Sequence, residues 1–531
     1  MQATARRLPW LVAALAAAVA LGFAAFTGHI WEDYFITFRA SLHLATGQGL
    51  VFQPGERVHT CTSPLGTVLP ALFALGGGDD VALRALWLFR LVSAAALGGA
   101  LWLAARTMLR DALAPLAIGA AVLAWALDPK TIDFSINGME TALLVLCIVL
   151  AWRALAAGVR LWPCALAFAA LQWTRPDGCV FFAALAIAWL GFGEPVVPGR
   201  WRRFAPLVRA VALGALCYLP WIIFTWIYYG TPVPHTIHAK ISHYGPGELV
   251  QALVLYPWRL LFGHVALHGV FMPAYYFFGG WPPLITVVAR ILAVGAAVAW
   301  VLPGMKPAGR MASAAFLLGG LYVEYIPRSP WYYPGWQALG FLAWAYLLHA
   351  LLTHARNPRW GRALTQVAAA MLGATQGALL LAVAWQMRTQ QTVIENGQRT
   401  EIGRWLRTAA ATGDRVYLEP LGYIGYYSGL KMLDYPGLAS PEVVAARRAG
   451  HRTHAQVIAA LRPEWLVLRP DQVQGVQVEA PHLLAQGYRL VRAYDVRPAL
   501  DAVKFLPGRG YLEFDAVYLV FQHATPRPRR P

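Results

Sequence analysis

Charge is scarce in this chain of 531 residues: Asp, Glu, Lys and Arg together make up 13%, against about 25% in a soluble domain. Acidic residues are the rarer kind, 26 against 44 Lys and Arg. With 58% apolar residues and a mean hydropathy of +0.48, this excludes a disordered chain, a fibrous repeat and an ordinary soluble enzyme. Cysteine is limited to five residues without a paired CxxC motif, so neither a disulfide scaffold nor a zinc site is read. No P-loop, Rossmann glycine fingerprint or GxSxG elbow in a fitting context is present, which argues against a nucleotide-driven machine. A donor already activated and carried on a lipid would remove the need for one. The chain also lacks an internal repeat.

What it has is long apolar runs. After Arg6-Arg7 comes a first run, 8–27, long enough to span a bilayer. Further runs follow at 81–105, 113–127, 139–157, 161–173, 178–192, 206–228, 282–303, 311–325, 336–352 and 364–387. Alternating them places Arg106 and Arg110, Arg153 and Arg160, Arg200 to Arg209, Lys306 and Arg310, and Arg356 to Arg362 on one side. That agreement is the positive-inside pattern. It accounts for the net charge of +18 through loops at the cytoplasmic surface, not through nucleic acid. The expectation is a polytopic α-helical membrane protein of about eleven spans over residues 1–387. Helices in the interface plane are expected at 31–46 and 63–77, and an interfacial or re-entrant segment at 247–280. From 388 to 531 the composition changes. A helix at 396–411 and short strands at 415–418, 465–469, 487–494 and 515–522 predict a small α/β domain on the outer side.

The polar chemistry collects in the outer loops. Glu32 and Asp33 directly follow the first span. Desolvation and the adjacent like charge would raise one of these carboxyls, suiting it as a general base or as a cation ligand; the plainer reading is an acidic helix N-terminus. Glu140 opens another span, where the helix dipole also favours a carboxylate. Arg175 and Asp177 flank a Pro-Gly turn and either pair with each other or hold a phosphate. His235 and His238 have helical i,i+3 spacing but no third ligand, and Lys240 beside them suits a phosphate better than a metal. Arg328, followed by Tyr332 and Tyr333, combines a cation with headgroup-level aromatics; an ordinary aromatic belt would look the same. Lys130 and Asp133 lie in the same set of loops. Charged groups near span ends are costly unless paired or functional.

Taken together, these motifs are recognisable. EDYFITFRASLHLATGQGLVFQPGERVHTCTSPLGT at 32–67 resembles the first outer loop of GT-C-type membrane glycosyltransferases. The closest likeness is to polyprenyl-phosphate-arabinose-dependent arabinofuranosyltransferases of the terminal, arabinogalactan kind. GMET at 138–141, RPDG at 175–178, GTPVPHTIHAK at 230–240 and GYIGYYSGLKMLDYPGL at 422–438 follow in the family's order. The resemblance implies a polyprenyl-phosphate sugar donor, a glycan or other hydroxyl acceptor, and an active site on the outer face of a bacterial inner membrane. It implies a catalytic carboxylate at Asp33, with Glu32 beside it; as a cation ligand, the same acidic pair would hold a divalent ion such as Mg or Mn. Arg39, Glu140, Arg175, Asp177, Lys240 and Arg328 fall at motif positions, and with His238 and Tyr332 beside them they are expected to bind substrate or phosphate. HTC at 59–61 departs from the family pattern. A transporter or flippase of lipid-linked sugars is the competing class, but it expects charges near span centres and paired repeats. A non-catalytic membrane binding protein is the third. Cys147, Cys164 and Cys217 fall in apolar runs and read as core, and a bridge between Cys61 and Cys179 is left open.

Overall fold

The structure, a computed structural model, describes residues 2–78, 80–193, 200–240, 246–263, 265–325, 329–354 and 358–525. All eleven apolar runs are helical. They form α1 (Gln2–Thr27), α4 (Val81–Arg110), α5 (Pro115–Ala126), α7 (Thr141–Ala156), α8 (Leu161–Thr174), α9 (Gly178–Phe192), α10 (Arg200–Tyr229), α13 (Pro283–Val298), α14 (Pro307–Tyr325), α15 (Tyr333–His354) and α16 (Pro358–Thr389). Among the described residues, six of these segments are long and apolar enough to cross a bilayer. A seventh arises if α6 (Pro129–Ile136) and α7, which meet at 116°, form one broken span. The rest are shorter or less apolar; α5, α8 and α9 have only 12, 14 and 15 residues, below the ~20 of a straight crossing.

The two expected interfacial helices are α2 (Glu32–Ala45) and α3 (Pro64–Ala74). The side chain of Ser63 caps α3 by accepting from Gly66 N–H at 2.8 Å. The 230–280 region holds α11 (His235–Lys240), α12 (Pro246–Phe262) and 3₁₀ turns at Ala266–Phe271 and Tyr276–Phe278. Buried Lys130 donates to the carbonyls of Gly269 and Val270 at 2.6 and 3.2 Å. Asp133 accepts from Tyr275 Oη at 3.1 Å and pairs with His29 Nδ1 at 2.8 Å. These two loop charges fasten the 266–275 segment to the bundle.

The C-terminal part is α/β. From α16 the helix continues through a π-helical stretch, Gln390–Arg399, into α17 (Thr400–Ala409). The boundary expected at 387/388 therefore lies inside one long helix. Then come β1 (Arg415–Leu418), α18 (Gly422–Ser428), β2 (Lys431–Asp434), α19 (Pro441–Arg448), β3 (Trp465–Leu468), β4 (Tyr488–Asp495) and β5 (Val517–His523). Strand order is β2-β1-β3-β5-β4. β1 runs parallel to both neighbours, while β5 is antiparallel to β3 and β4. Separate apolar cores fill the two faces of this sheet. The rings of Tyr34, Phe35 and Phe38 on α2 pack with Tyr423 of α18, which seats the sheet domain on the first outer loop.

Candidate active site

Glu32 and Asp33 open α2, where an acidic first turn meets the positive end of the helix dipole. They face different neighbours. Glu32 accepts the Gly422 N–H at 3.0 Å and pairs with Arg399 Nη1 at 2.9 Å. Gly422 has no room for a side chain, since a Cβ there would lie 2.2 Å from the Glu32 carbonyl oxygen. Burial pushes the Glu32 carboxyl up to about 7: Arg399 opposes the shift, and the nearby Glu395 and Asp515 reinforce it. Asp33 instead lies within electrostatic reach of Lys240 and Arg175. Burial raises its carboxyl above the ordinary range, while Lys240, the Trp31 indole and Arg175 pull the other way.

Around Asp33 the sequence motifs converge. Glu140 is the N-cap residue of α7, Arg175 follows α8, and Asp177 precedes α9. Arg175 Nη1 meets Glu140 Oε1 at 2.9 Å, its Nε meets Asp177 Oδ1 at 2.8 Å, and its guanidinium stands 5.1 Å over the Tyr332 ring. Tyr322 Oη donates to the other Asp177 oxygen at 2.8 Å. Arg175 is thus a half-buried hub between two carboxylates, and its orientation is fixed. Gly138 of the GMET motif has φ +103° and would place a Cβ 2.6 Å from the Tyr34 ring, so only glycine lets this turn lie against α2. Lys240 ends α11, whose backbone is held by two contacts: His235 N–H donates to His59 O at 2.7 Å, and Arg447 donates to Ala239 O at 3.0 Å.

Other expected site residues are placed differently. Arg39 turns away from Asp33. It donates to the carbonyls of Gly425, Gly429 and Leu430 and to Gln53 Oε1 at 2.8–3.2 Å, with its guanidinium 4.6 Å over Phe52. It is a clamp between α2 and α18, not a phosphate ligand. His238 lies on α11 with its ring centroid 6.4 Å from that of His235. Among the described residues, no group of three or more His, Cys, Asp or Glu could hold a metal. Because Glu32 is engaged by Arg399 and Gly422 while Asp33 faces Lys240 and Arg175, the pair does not form one cation site. Arg328 lies outside the described residues. All five cysteines are free, so Cys61 and Cys179 form no bridge; Cys61 is buried beside the stacked His59 and Tyr229 rings, 4.7 Å apart.

The motif reading missed a second charged cluster behind Glu32. Arg399 binds Glu395 Oε1 at 2.8 Å and Asp515 Oδ2 at 2.6 Å, and Arg469 Nε binds Asp515 Oδ1 at 2.7 Å. Burial opposes ionisation of Asp515, but Arg399 and Arg469 hold its carboxyl down to about 2. Only the i,i+4 spacing of Glu395 and Arg399 was visible in the sequence; Arg469 and Asp515 join from distant strand ends.

Residues 385–515 match a family model described as a domain of unknown function, DUF8728. No curated protein matches the chain in sequence. Among solved structures, the Archaeoglobus fulgidus oligosaccharyltransferase tethered with an acceptor peptide is 12% identical, over 87% of this chain and 69% of that one, with a TM-score of 0.54. ArnT from Cupriavidus metallidurans bound to undecaprenyl phosphate is 14% identical over 98% of both chains, with a TM-score of 0.50. The arabinofuranosyltransferase AftD from Mycobacteria is 16% identical over 94% of this chain, with a TM-score of 0.43; this chain spans 40% of its length. The chain has the fold of the GT-C membrane glycosyltransferases.

Proposed function

We propose that this protein is a membrane glycosyltransferase that moves a sugar, arabinofuranose by the motif resemblance, from a polyprenyl phosphate to a hydroxyl of a cell-envelope glycan. The observation that carries the reading is Asp33, a half-buried carboxylate within electrostatic reach of Lys240 and Arg175 in the first outer loop. A base needs a pKa lifted toward the working pH, and burial supplies the lift. The undecaprenyl phosphate held by the Cupriavidus ArnT supports a polyprenyl phosphate as the lipid carrier.

In this mechanism the acceptor oxygen attacks the anomeric carbon as Asp33 takes its proton. The new glycosidic C–O bond forms, and the bond from the anomeric carbon to the phosphate oxygen breaks. The electron pair leaves with the polyprenyl phosphate, whose charge Lys240 meets. Arg175, already spanning Glu140 and Asp177, positions the acidic wall and limits how far the Lys240 field is cancelled. A proton transfer so positioned contributes roughly 10²–10⁴-fold to the rate. A divalent cation, if required, would draw on Asp33 without Glu32, and chelator titration of the purified enzyme measures that need.

The test is single: Asp33→Asn, purified beside wild type and supplied with radiolabelled polyprenyl-phosphate arabinose and acceptor glycan. The expected outcome is intact folding with transfer reduced at least about 10²-fold. Turnover near the wild-type rate removes Asp33 as base. Lipid movement across the bilayer without a new glycosidic product makes the protein a flippase.

A further inference from the structure

A half-open cavity of 410 Å³ lies between the start of α2, the 275–278 and 329–331 segments, and the C-terminal domain. Its volume falls in the roughly 300–1,000 Å³ range of small-molecule sites. One part of its wall is aromatic: Trp31, Tyr275, Phe278, Trp331, Tyr511 and Phe514. The other part is charged: Glu32, Glu395, Arg399, Arg469 and Asp515. The segment matched by the family of unknown function supplies most of this charged wall and two of its rings. One lining group keeps hydrogen-bonding capacity in reserve: Glu395 is 2% exposed, and its Oε2 has no partner.

We propose that this seam is a subsite for a neutral, hydroxyl-rich saccharide, the acceptor glycan, and that its recognition is the role of the 385–515 segment. Ring faces cover the apolar C–H faces of a sugar, and fixed carboxylates and guanidiniums take its hydroxyls. A lipid tail is the poorer occupant, because it would bury several charged groups without replacing their hydration. Trp31 and Glu32 line the cavity, while Asp33, one residue on, faces Lys240 and Arg175, so a glycan held here lies next to the proposed base without occupying the reacting centre. Calling the sugar an acceptor rests on the proposed transferase reading; the binding itself does not.

The experiment titrates full-length protein in nanodiscs, with no donor present, with arabinohexaose and separately with maltohexaose, followed by calorimetry. Saturable binding of at least one is expected. Phe514→Ala should weaken it about tenfold, and so should Phe278→Ala, whose ring packs against that of Phe514 at 5.7 Å. The two rings are 46% and 39% exposed, so at least one of these variants folds. In the transfer assay the same variants should raise the acceptor KM and leave the donor KM unchanged. Asp33→Asn should bind the saccharide like wild type. Absence of saturable binding, binding indifferent to both ring variants, or displacement of the sugar by undecaprenyl phosphate alone overturns the subsite. Binding that persists when Asp33→Asn retains full transfer keeps the subsite and discards the base.

Discussion

Arg39 separates a motif position from a role. Its place after the aromatic run suggested a phosphate ligand, yet its donors all go to protein oxygens that join the first outer loop to α18. Burial lowers its guanidinium to about 10, a cost accepted only where every donor is used. Truncating it leaves three backbone carbonyls without a cationic partner in a buried seam. Arg39→Ala should therefore destabilise the protein by about 3 kcal/mol, and Arg39→Lys should restore little, because one ammonium cannot reach so many fixed acceptors. Thermal unfolding in detergent checks this. An unchanged Tm together with a raised donor KM would return Arg39 to the substrate. Asp33, Glu140, Arg175, Asp177 and Lys240 were legible as chemistry because short motifs carry them. The partner of each was not legible, because a motif does not say which way a side chain turns out of its helix.

Elements explain what the sequence withheld. The eleven apolar runs and the two interfacial helices were readable because burial leaves a hydropathy trace. So were four strands; β2, KMLD, begins and ends on a charged residue and leaves only two apolar residues between them, so it shows no apolar run. The continuous α16–α17 helix was not readable as one unit, since its apolar stripe ends near 387 while the backbone carries on into polar residues. That continuation brings Glu395 and Arg399 to Glu32, and a pH effect follows. Glu32 titrates at about 7 in the fold against 4.5 when unfolded. Between those values the folded chain holds a proton that the unfolded chain has released, so this group's contribution to stability falls as pH rises through the window. Asp515, held down to about 2, keeps its contribution above its unfolded pKa and loses it only in strong acid, so it is silent in that window. Other groups titrate too, His59 among them, pushed down to about 4 by burial. The clean observable is the Tm of wild type minus that of Glu32→Gln. This difference should decline from pH 5 to pH 8, by a few degrees at most. A flat or rising difference would falsify the buried, proton-holding Glu32.

At the scale of the whole molecule, orientation decides whether the site can meet a lipid-borne sugar. α4 has 30 residues, about 45 Å of helix at 1.5 Å per residue, more than the ~30 Å hydrocarbon core. One end lies beside the site, where Tyr34 Oη donates to Ala82 O at 3.1 Å. The other carries Arg106 and Arg110, which with Thr107 and Arg153 of α7 line a basic recess of 290 Å³. The arginine-rich end is therefore the end remote from Asp33, and the positive-inside rule predicts that end to be cytoplasmic. Cys179, exposed two residues beyond Asp177, reports on the site's side. Cys61, Cys147 and Cys164 are buried. Cys217 is exposed midway along α10, a helix long and apolar enough to cross a bilayer, and a spanning α10 would keep it from a water-borne maleimide. A membrane-impermeant maleimide added outside intact spheroplasts should label wild type at Cys179, and Cys179→Ser should abolish that label. Arg110→Cys in the Cys179→Ser background should react only after permeabilisation. The reverse pattern would place Asp33 on the cytoplasmic face, where a polyprenyl-linked sugar already translocated cannot reach it, and transfer at the outer leaflet would have to be abandoned.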